Sequence, residues 1–377
     1  MERITNQIQI ISEDGNLVPG FDHHIKSSGM TKIGKDYKTV AIIGNQSTGK
    51  STLLNKLFGT TFDVMDSSRR RQQTTKGILV SSDKEENILV VDVEGADSKE
   101  RWEGHGPFEQ STALFSLVMS QVVIVNIWTQ EVGRFTGSNY GILKVILENN
   151  LKLFKQEGKK NLVFVLRDFS ESENEDTIRD TIRDDMTKIW NEINKPKEYA
   201  STTPDNFFNI HFVFLTNFKW VKDVFEKQCV DLRQRFIDKE RKDYLFQDFD
   251  TNNNVPIDGL WLYMENVWGV IKDCKDINLP TQRTLVSNLR CTDIKQEVLQ
   301  NVESKLMELK ANVKSDYYKR FGEVANTIIE EVTKSYDEQT ENYEKSVVQE
   351  KREELTKELY GKLRDVFDLQ VSNIKKQ

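Results

Sequence analysis

From Tyr37 to about Leu215, short apolar runs rich in β-branched residues alternate with longer stretches whose apolar positions recur every three or four residues. That alternation predicts strands separated by helices. The strand candidates are Thr39–Ile43, Gly77–Ser81, Ile88–Val93, Val122–Trp128, Leu162–Leu166 and His211–Leu215. Several, VVIVNIW at 122–128 among them, are apolar at consecutive positions, as expected where helices bury both faces of a parallel sheet. Helix candidates fall at Lys50–Phe58, Phe108–Ser120, Tyr140–Phe154 and Thr177–Ile193. The pattern predicts an α/β domain with a mostly parallel sheet and helices on both faces.

Past Pro280 the pattern changes. The remaining chain has no proline and, as glycines, only Gly322 and Gly361. Val298, Val302, Leu306 and Leu309 form one apolar stripe, Val324, Ile328, Val332 and Tyr336 a second, and Leu355, Leu359, Leu363 and Val366 a third. Such stripes predict long amphipathic helices, and the lack of sustained heptads favours an all-α bundle over a simple coiled coil. The expected division is an N-terminal segment at 1–36 packing on the next domain, an α/β domain at 37–280, and the start of a helical bundle or stalk at 281–377. The last residues, SNIKKQ, are still in helical register, so the bundle is expected to be truncated.

Composition narrows the function classes. The most apolar stretch, Ala113 to Trp128, is shorter than the roughly 20 residues of a bilayer span and carries Ser116, Ser120, Gln121 and Asn126. It reads as a helix end followed by a core strand. The start, MERITNQIQI, lacks the apolar run of a secretory signal. Lys and Arg total 53 against 60 Asp and Glu, a net charge of −7, which argues against nucleic acid as a partner. Cys229, Cys274 and Cys291 form no CxxC pair, and His23, His24, His105 and His211 show no metal-ligand spacing. Adjacent His23 and His24 read as solvated loop residues, and a reducing cytosolic environment is the default.

The sharpest motif is Gly44-Asn45-Gln46-Ser47-Thr48-Gly49-Lys50-Ser51, which matches GxxxxGK(S/T) between a strand candidate and a helix candidate. Small residues let backbone N–H groups wrap phosphates, the helix points its positive dipole end at them, and Lys50 reaches the β and γ oxygens. Ser51 offers a hydroxyl to Mg²⁺, and Thr52 follows it in the nucleotide-binding set. Asp92-Val93-Glu94-Gly95 ends the apolar run NILVV. There Asp92 can hold Mg²⁺ through water, and Gly95 lets a backbone N–H approach the γ-phosphate. Between these motifs, Arg69-Arg70-Arg71-Gln72-Gln73-Thr74-Thr75-Lys76-Gly77 is a polar loop in which Thr75, with Thr74 in reserve, can complete the Mg²⁺ shell as a switch residue. The three arginines read first as a solvated charge run.

Base selection is expected later on the sheet, at Arg167-Asp168, where small GTPases carry (N/T)KxD. A carboxylate at Asp168 accepts both the ring N–H and the exocyclic amine of guanine, a pair adenine does not offer, while Arg167 is expected to pack along the base or ribose. The loop from Thr216 to Trp220 is a candidate cover for the base edge. Asn126, Arg134 and Asn139 are assigned to structure or to a dimer surface.

Together these motifs resemble a dynamin-superfamily GTPase. The P-loop with TLLNKLF, the segments RQQTTKGI and DVEGAD, the run GRFTGSNYGILKVILENNLKLF from Gly133 to Phe154, and LRDF from Leu166 are similar to the atlastin and root-hair-defective branch, the yeast and plant endoplasmic-reticulum fusion GTPases. The resemblance covers roughly residues 37 to 220 and implies an α/β P-loop GTPase domain followed by an all-α helical bundle. It implies GTP as substrate, Mg²⁺ as cofactor, and a GTP-dependent head-to-head homodimer. It also implies tethering and fusion of endoplasmic-reticulum membranes through a C-terminal anchor that this chain lacks, with the domain facing the cytosol and ER-shaping membrane proteins as further partners. Atlastins and guanylate-binding proteins carry an arginine at the fourth P-loop residue, where this chain has Ser47. Gln46-Ser47 resembles the dynamin pattern, so the resemblance places catalysis on Gln46, Ser47, Lys50 and Thr75. Two other readings stand beside it: a nucleotide-gated helical scaffold with slow GTPase activity, and a P-loop kinase or ATPase.

Overall fold

The computed structural model describes residues 7–64, 77–83, 85–93, 107–133, 141, 143–148, 159–193, 195, 197–247, 249–251, 254–273, 279–315 and 317–375. They form two compact units, Met1–Leu279 and Pro280–Gln377.

In the first unit, seven strands make one sheet: β1 (Gln7–Ile11), β2 (Lys38–Gly44), β3 (Ile78–Asp83), β4 (Ile88–Val93), β5 (Val122–Trp128), β6 (Lys160–Arg167) and β7 (Phe208–Leu215), in the order β1-β3-β4-β2-β5-β6-β7. The strands from β4 through β7 run parallel, and every described residue of β4 is buried, which explains its unbroken apolar run. The sheet is not parallel at its other end. β3 returns antiparallel to β4 as a hairpin, and β1 adds antiparallel to β3. Asn87 takes the left-handed conformation in that hairpin, with φ 52°, which a short polar side chain tolerates.

The helices of this unit are α1 (Phe21–Ser28), α2 (Lys50–Phe58), α3 (Pro107–Met119), α4 (Glu175–Glu192), α5 (Lys222–Ile237) and α6 (Leu260–Lys272). Residues 143–148 are also helical, and the rest of the Tyr140–Phe154 expectation falls largely outside the described residues. α4 starts where Asn174 Oδ1 accepts from the Thr177 N–H at 3.1 Å, with Glu175 and Asp176 in the first turn against the helix dipole. Leu53, Leu54, Leu57 and Phe58 of α2 join Phe225, Cys229, Leu232 and Phe236 of α5 in a core under Val40, Ile42, Val122 and Val163. N-terminal residues pack on the same unit: Trp268 Nε1 donates to the Gly15 carbonyl at 3.0 Å, and Phe21 stacks on Trp261. His23 and His24, expected in a loop, lie on α1, with His24 buried.

The second unit holds α7 (Leu279–Ser315), α8 (Phe321–Thr340) and α9 (Lys345–Ile374). At 1.5 Å per residue α7 alone is roughly 55 Å long. All three expected stripes are buried except Val324, whose place is taken by its neighbour Ala325. Ion pairs join the helices in every combination: Lys295–Glu354 at 2.9 Å and Lys362–Glu303 at 3.1 Å between α7 and α9, Lys305–Glu331 between α7 and α8, and Arg352–Asp337 at 2.7 Å between α8 and α9. Among the described residues no helix is long and apolar enough to cross a membrane.

Candidate functional site

The chain turns outward from β2 to β4 on one side and to β5, β6 and β7 on the other, so β2 is the point where strand order reverses. In open α/β sheets the carboxyl edge at such a point is where ligands bind. The P-loop leaves β2 at that edge. Gly44 sits at φ 154°, and a Cβ on it would stand 2.5 Å from the Asn126 carbonyl oxygen, so β2 and β5 approach at this point only with glycine. Ser47 is held left-handed at φ 60° and is exposed, whereas Thr48, Lys50 and Ser51 are buried. Lys50 Nζ donates to the carbonyls of Gly44 at 3.1 Å and Asn45 at 3.0 Å, folding the ammonium back over the loop where phosphate oxygens would draw it. Thr48 Oγ1 closes the turn on the Asn45 carbonyl at 2.8 Å.

Where α2 starts beside the end of β4, Ser51 Oγ donates to Asp92 Oδ2 at 2.6 Å, both groups buried. A hydroxyl and a carboxylate in contact at the start of α2 and the end of β4 are hard oxygen ligands of the kind Mg²⁺ prefers, so these two residues fit that ion.

Two residues hold the P-loop from beneath. Asn126, fully buried, donates from Nδ2 to the Thr48 carbonyl at 2.9 Å. Arg167, 4% exposed, reaches the Thr48 and Gly49 carbonyls at 3.4 Å each and Asn126 Oδ1 at 3.5 Å, and its guanidinium lies 5.3 Å from the Phe225 ring centroid. Burial pushes its pKa below the ordinary arginine value while Asp168 pulls the other way. An arginine remains charged even so. Arg167 was expected along the base or ribose; the structure instead sets it under the phosphate loop, its guanidinium held between Asn126 of β5, the Thr48 and Gly49 carbonyls and the Phe225 ring of α5.

The next residue faces the other way. Asp168 is held left-handed at φ 60°, and its Oδ2 accepts from Asn217 Nδ2 at 2.8 Å. Thr129 Oγ1 fixes the Arg167 carbonyl at 2.7 Å, and the Phe169 N–H donates to the Leu215 carbonyl at 3.0 Å, which ties the loop after β6 to its neighbours. The loop after β7 is anchored by Phe218 on Phe225, ring centroids 5.2 Å apart.

Comparison with known proteins is decisive at the level of family. The family model for the Root hair defective 3 GTP-binding protein (RHD3) GTPase domain matches residues 43–280. The chain belongs to the RHD3 GTPase family. The family model for the Sey1 three-helix bundle domain matches residues 319–377 of the second unit. This RHD3-family chain is 39% identical over 351 residues to Protein SEY1 homolog 1 of Paramecium tetraurelia, covering 93% of this chain and 46% of that protein. It is 37% identical over 379 residues to Protein SEY1 of Laccaria bicolor, covering 99% and 48%. With Protein sey1 of Schizosaccharomyces japonicus the identity is 36%, over 94% of this chain and 46% of that one. The chain spans about half the length of these curated relatives.

In this RHD3-family GTPase the structure brings Gly44, Asn45, Gln46, Ser47, Thr48, Gly49, Lys50, Ser51, Thr52, Asp92 and Asp168 to the carboxyl edge of adjacent strands. Thr74, Thr75, Glu94, Gly95, Arg134 and Asn139 lie outside the described residues. Gly77 is described: its φ is 68°, and a Cβ there would fall 2.0 Å from the Ile11 carbonyl, so the glycine of TKG is fixed by backbone contact with β1. Sequence reasoning assigned Asn126 to structure or a dimer surface and set Asn217 within the candidate base-covering loop, but it named neither residue's partner and did not single out Thr129. A polar residue inside VVIVNIW was the available signal for Asn126.

Proposed function

We propose that this chain hydrolyses GTP in a cycle that pairs its GTPase domain with that of a second copy, and that in the full-length protein this cycle tethers and fuses endoplasmic-reticulum membranes. Membership of the RHD3 family supports the biological part. For the chemistry, the observation that carries the reading is the Ser51–Asp92 contact beside a P-loop whose Lys50 ammonium is poised over its own carbonyls.

Lys50 would exchange its loop carbonyls for phosphate oxygens, and the backbone N–H groups of the P-loop would spread the remaining negative charge. Ser51, Asp92 and Thr75 would hold Mg²⁺, which supplies neutralisation of phosphate charge when bound. Half-buried Gln46 and exposed Ser47 would orient the attacking water. A second copy closing over these two residues would exclude bulk solvent and strengthen every electrostatic contact within. Hydrolysis should then depend on protein concentration.

Lys50→Ala is expected to abolish nucleotide binding, and Thr75→Ala to spare binding and block hydrolysis. With the unsubstituted chain, turnover per molecule is expected to rise from submicromolar to tens of micromolar protein, with GTP and not ATP as substrate. Flat specific activity over that range would remove the pairing step, and normal turnover by Thr75→Ala would move its role to Thr74 or end it.

A further inference from the structure

Asn217 follows β7 by two residues, in the Thr216–Trp220 loop read above as a candidate cover for the base edge, and its side chain makes three contacts that together fix another side chain. Its Oδ1 accepts from the backbone N–H groups of Lys219 at 2.8 Å and Trp220 at 3.0 Å. Those two donors settle which end of the amide is oxygen, so the other end is Nδ2, and its N–H points at Asp168 Oδ2, 2.8 Å away. The backbone closes the same turn, with the Val221 N–H donating to the Asn217 carbonyl at 3.0 Å. Asparagine suits this place because its side chain can cap its own turn, as in an Asx-turn, and still present a donor outward.

From this arrangement we propose that Asn217 is a positioning residue for base selection: it holds the Asp168 carboxylate in the plane that accepts two parallel donors from guanine. The inference rests on the reading of Asp168 as the guanine acceptor. A carboxylate has about four lone-pair sites, so one taken by Asn217 leaves three, enough for both the ring N–H and the exocyclic amine. Without this tie the carboxylate rotates about its last torsion, and ordering it falls to the binding step. The backbone makes the tie more necessary. Asp168 is left-handed at φ 60°, an uncommon conformation for a residue other than glycine, and such residues persist only where their surroundings hold them. Asn217 holds the side chain, while the Phe169 to Leu215 hydrogen bond at 3.0 Å holds the backbone one residue on.

The test is equilibrium binding of the whole chain to non-hydrolysable analogues of GTP, ITP and ATP, ITP being the triphosphate whose base lacks the 2-amino group. For the unsubstituted chain the expected order is GTP, then ITP, then ATP. Asn217→Ala should shrink the GTP to ITP preference roughly tenfold, the scale of one hydrogen bond to a charged group, with ATP affinity unchanged. Asn217→Asp sets a second carboxyl against Asp168, and the pair must share a proton. GTP affinity of that variant should therefore recover as the pH falls, while that of the unsubstituted chain changes little. Wild-type GTP to ITP preference in both variants, or an equal loss for GTP, ITP and ATP, would overturn the role of Asn217. Failure of the unsubstituted chain to prefer GTP over ATP would instead overturn the guanine reading on which it rests.

Discussion

Neighbouring residues at the end of β6 face different surroundings. Arg167 and Asp168 are adjacent, but one is buried under the phosphate loop and the other is turned to the loop after β7. Arg167→Met keeps much of the volume and removes the tie to the Thr48 and Gly49 carbonyls, so the affinities for GDP and for a GTP analogue should fall together by about tenfold. Titration calorimetry with guanine and adenine nucleotides checks this, and the GTP to ATP ratio should hold. A changed base preference would return Arg167 to the base-side place that the sequence suggested. The P-loop itself was legible because its spacing carries its own physics and its flanks read as strand and helix. The ties that position it were not, since Asn126 meets Thr48 across 78 residues and Asn217 meets Asp168 across 49, distances over which no local pattern operates.

At the scale of elements, the strands buried on both faces announced themselves: β4 and β5 and the helix α2 have the ends expected from the apolar pattern. β1 did not, because QIQII is a short alternating run at a sheet edge, and its antiparallel pairing with β3 depends on the close approach of Gly77. α5 carries a readable stripe in Phe225, Cys229, Leu232 and Phe236, diluted by a buried arginine, Arg235. That arginine has its own consequence within β7. His211 Nε2 lies 3.0 Å from Asn161 Oδ1 and its Nδ1 3.3 Å from Arg235 Nη2, so the ring is neutral, donating to the amide and accepting from the guanidinium. Burial first, and Arg235 second, lower its pKa from 6.5 to about 4, against a smaller upward pull from Asp243. The unfolded chain therefore binds a proton at this position between pH 6.5 and 4 while the native chain does not. Stability due to this site is present above pH 6.5 and is lost as the pH drops through that window. Denaturant unfolding between pH 4 and 7 should show the loss, and His211→Gln should flatten the profile; an equally steep profile in the variant would assign the slope to other groups.

For the molecule as a whole, the sequence division near Pro280 follows from a change of physical regime: a sheet core that needs β-branched runs and glycine turns gives way to helices whose buried stripes and rim ion pairs need neither. The first unit holds nearly all of the match to the RHD3 GTPase domain, residues 43–280. The second matches a three-helix bundle family over residues 319–377. In the proposed cycle, nucleotide binding and pairing of two chains are one linked equilibrium, so a ligand that favours the paired state must shift the mass of the particle. Sedimentation velocity of the whole chain measures this directly, with GDP, a non-hydrolysable GTP analogue, GDP·AlF₄⁻ and, as control, the ATP analogue. The account predicts a dimer with the GTP analogue or with GDP·AlF₄⁻, and a monomer with GDP and with the ATP analogue. A monomer in every state, or a dimer indifferent to nucleotide, would contradict it.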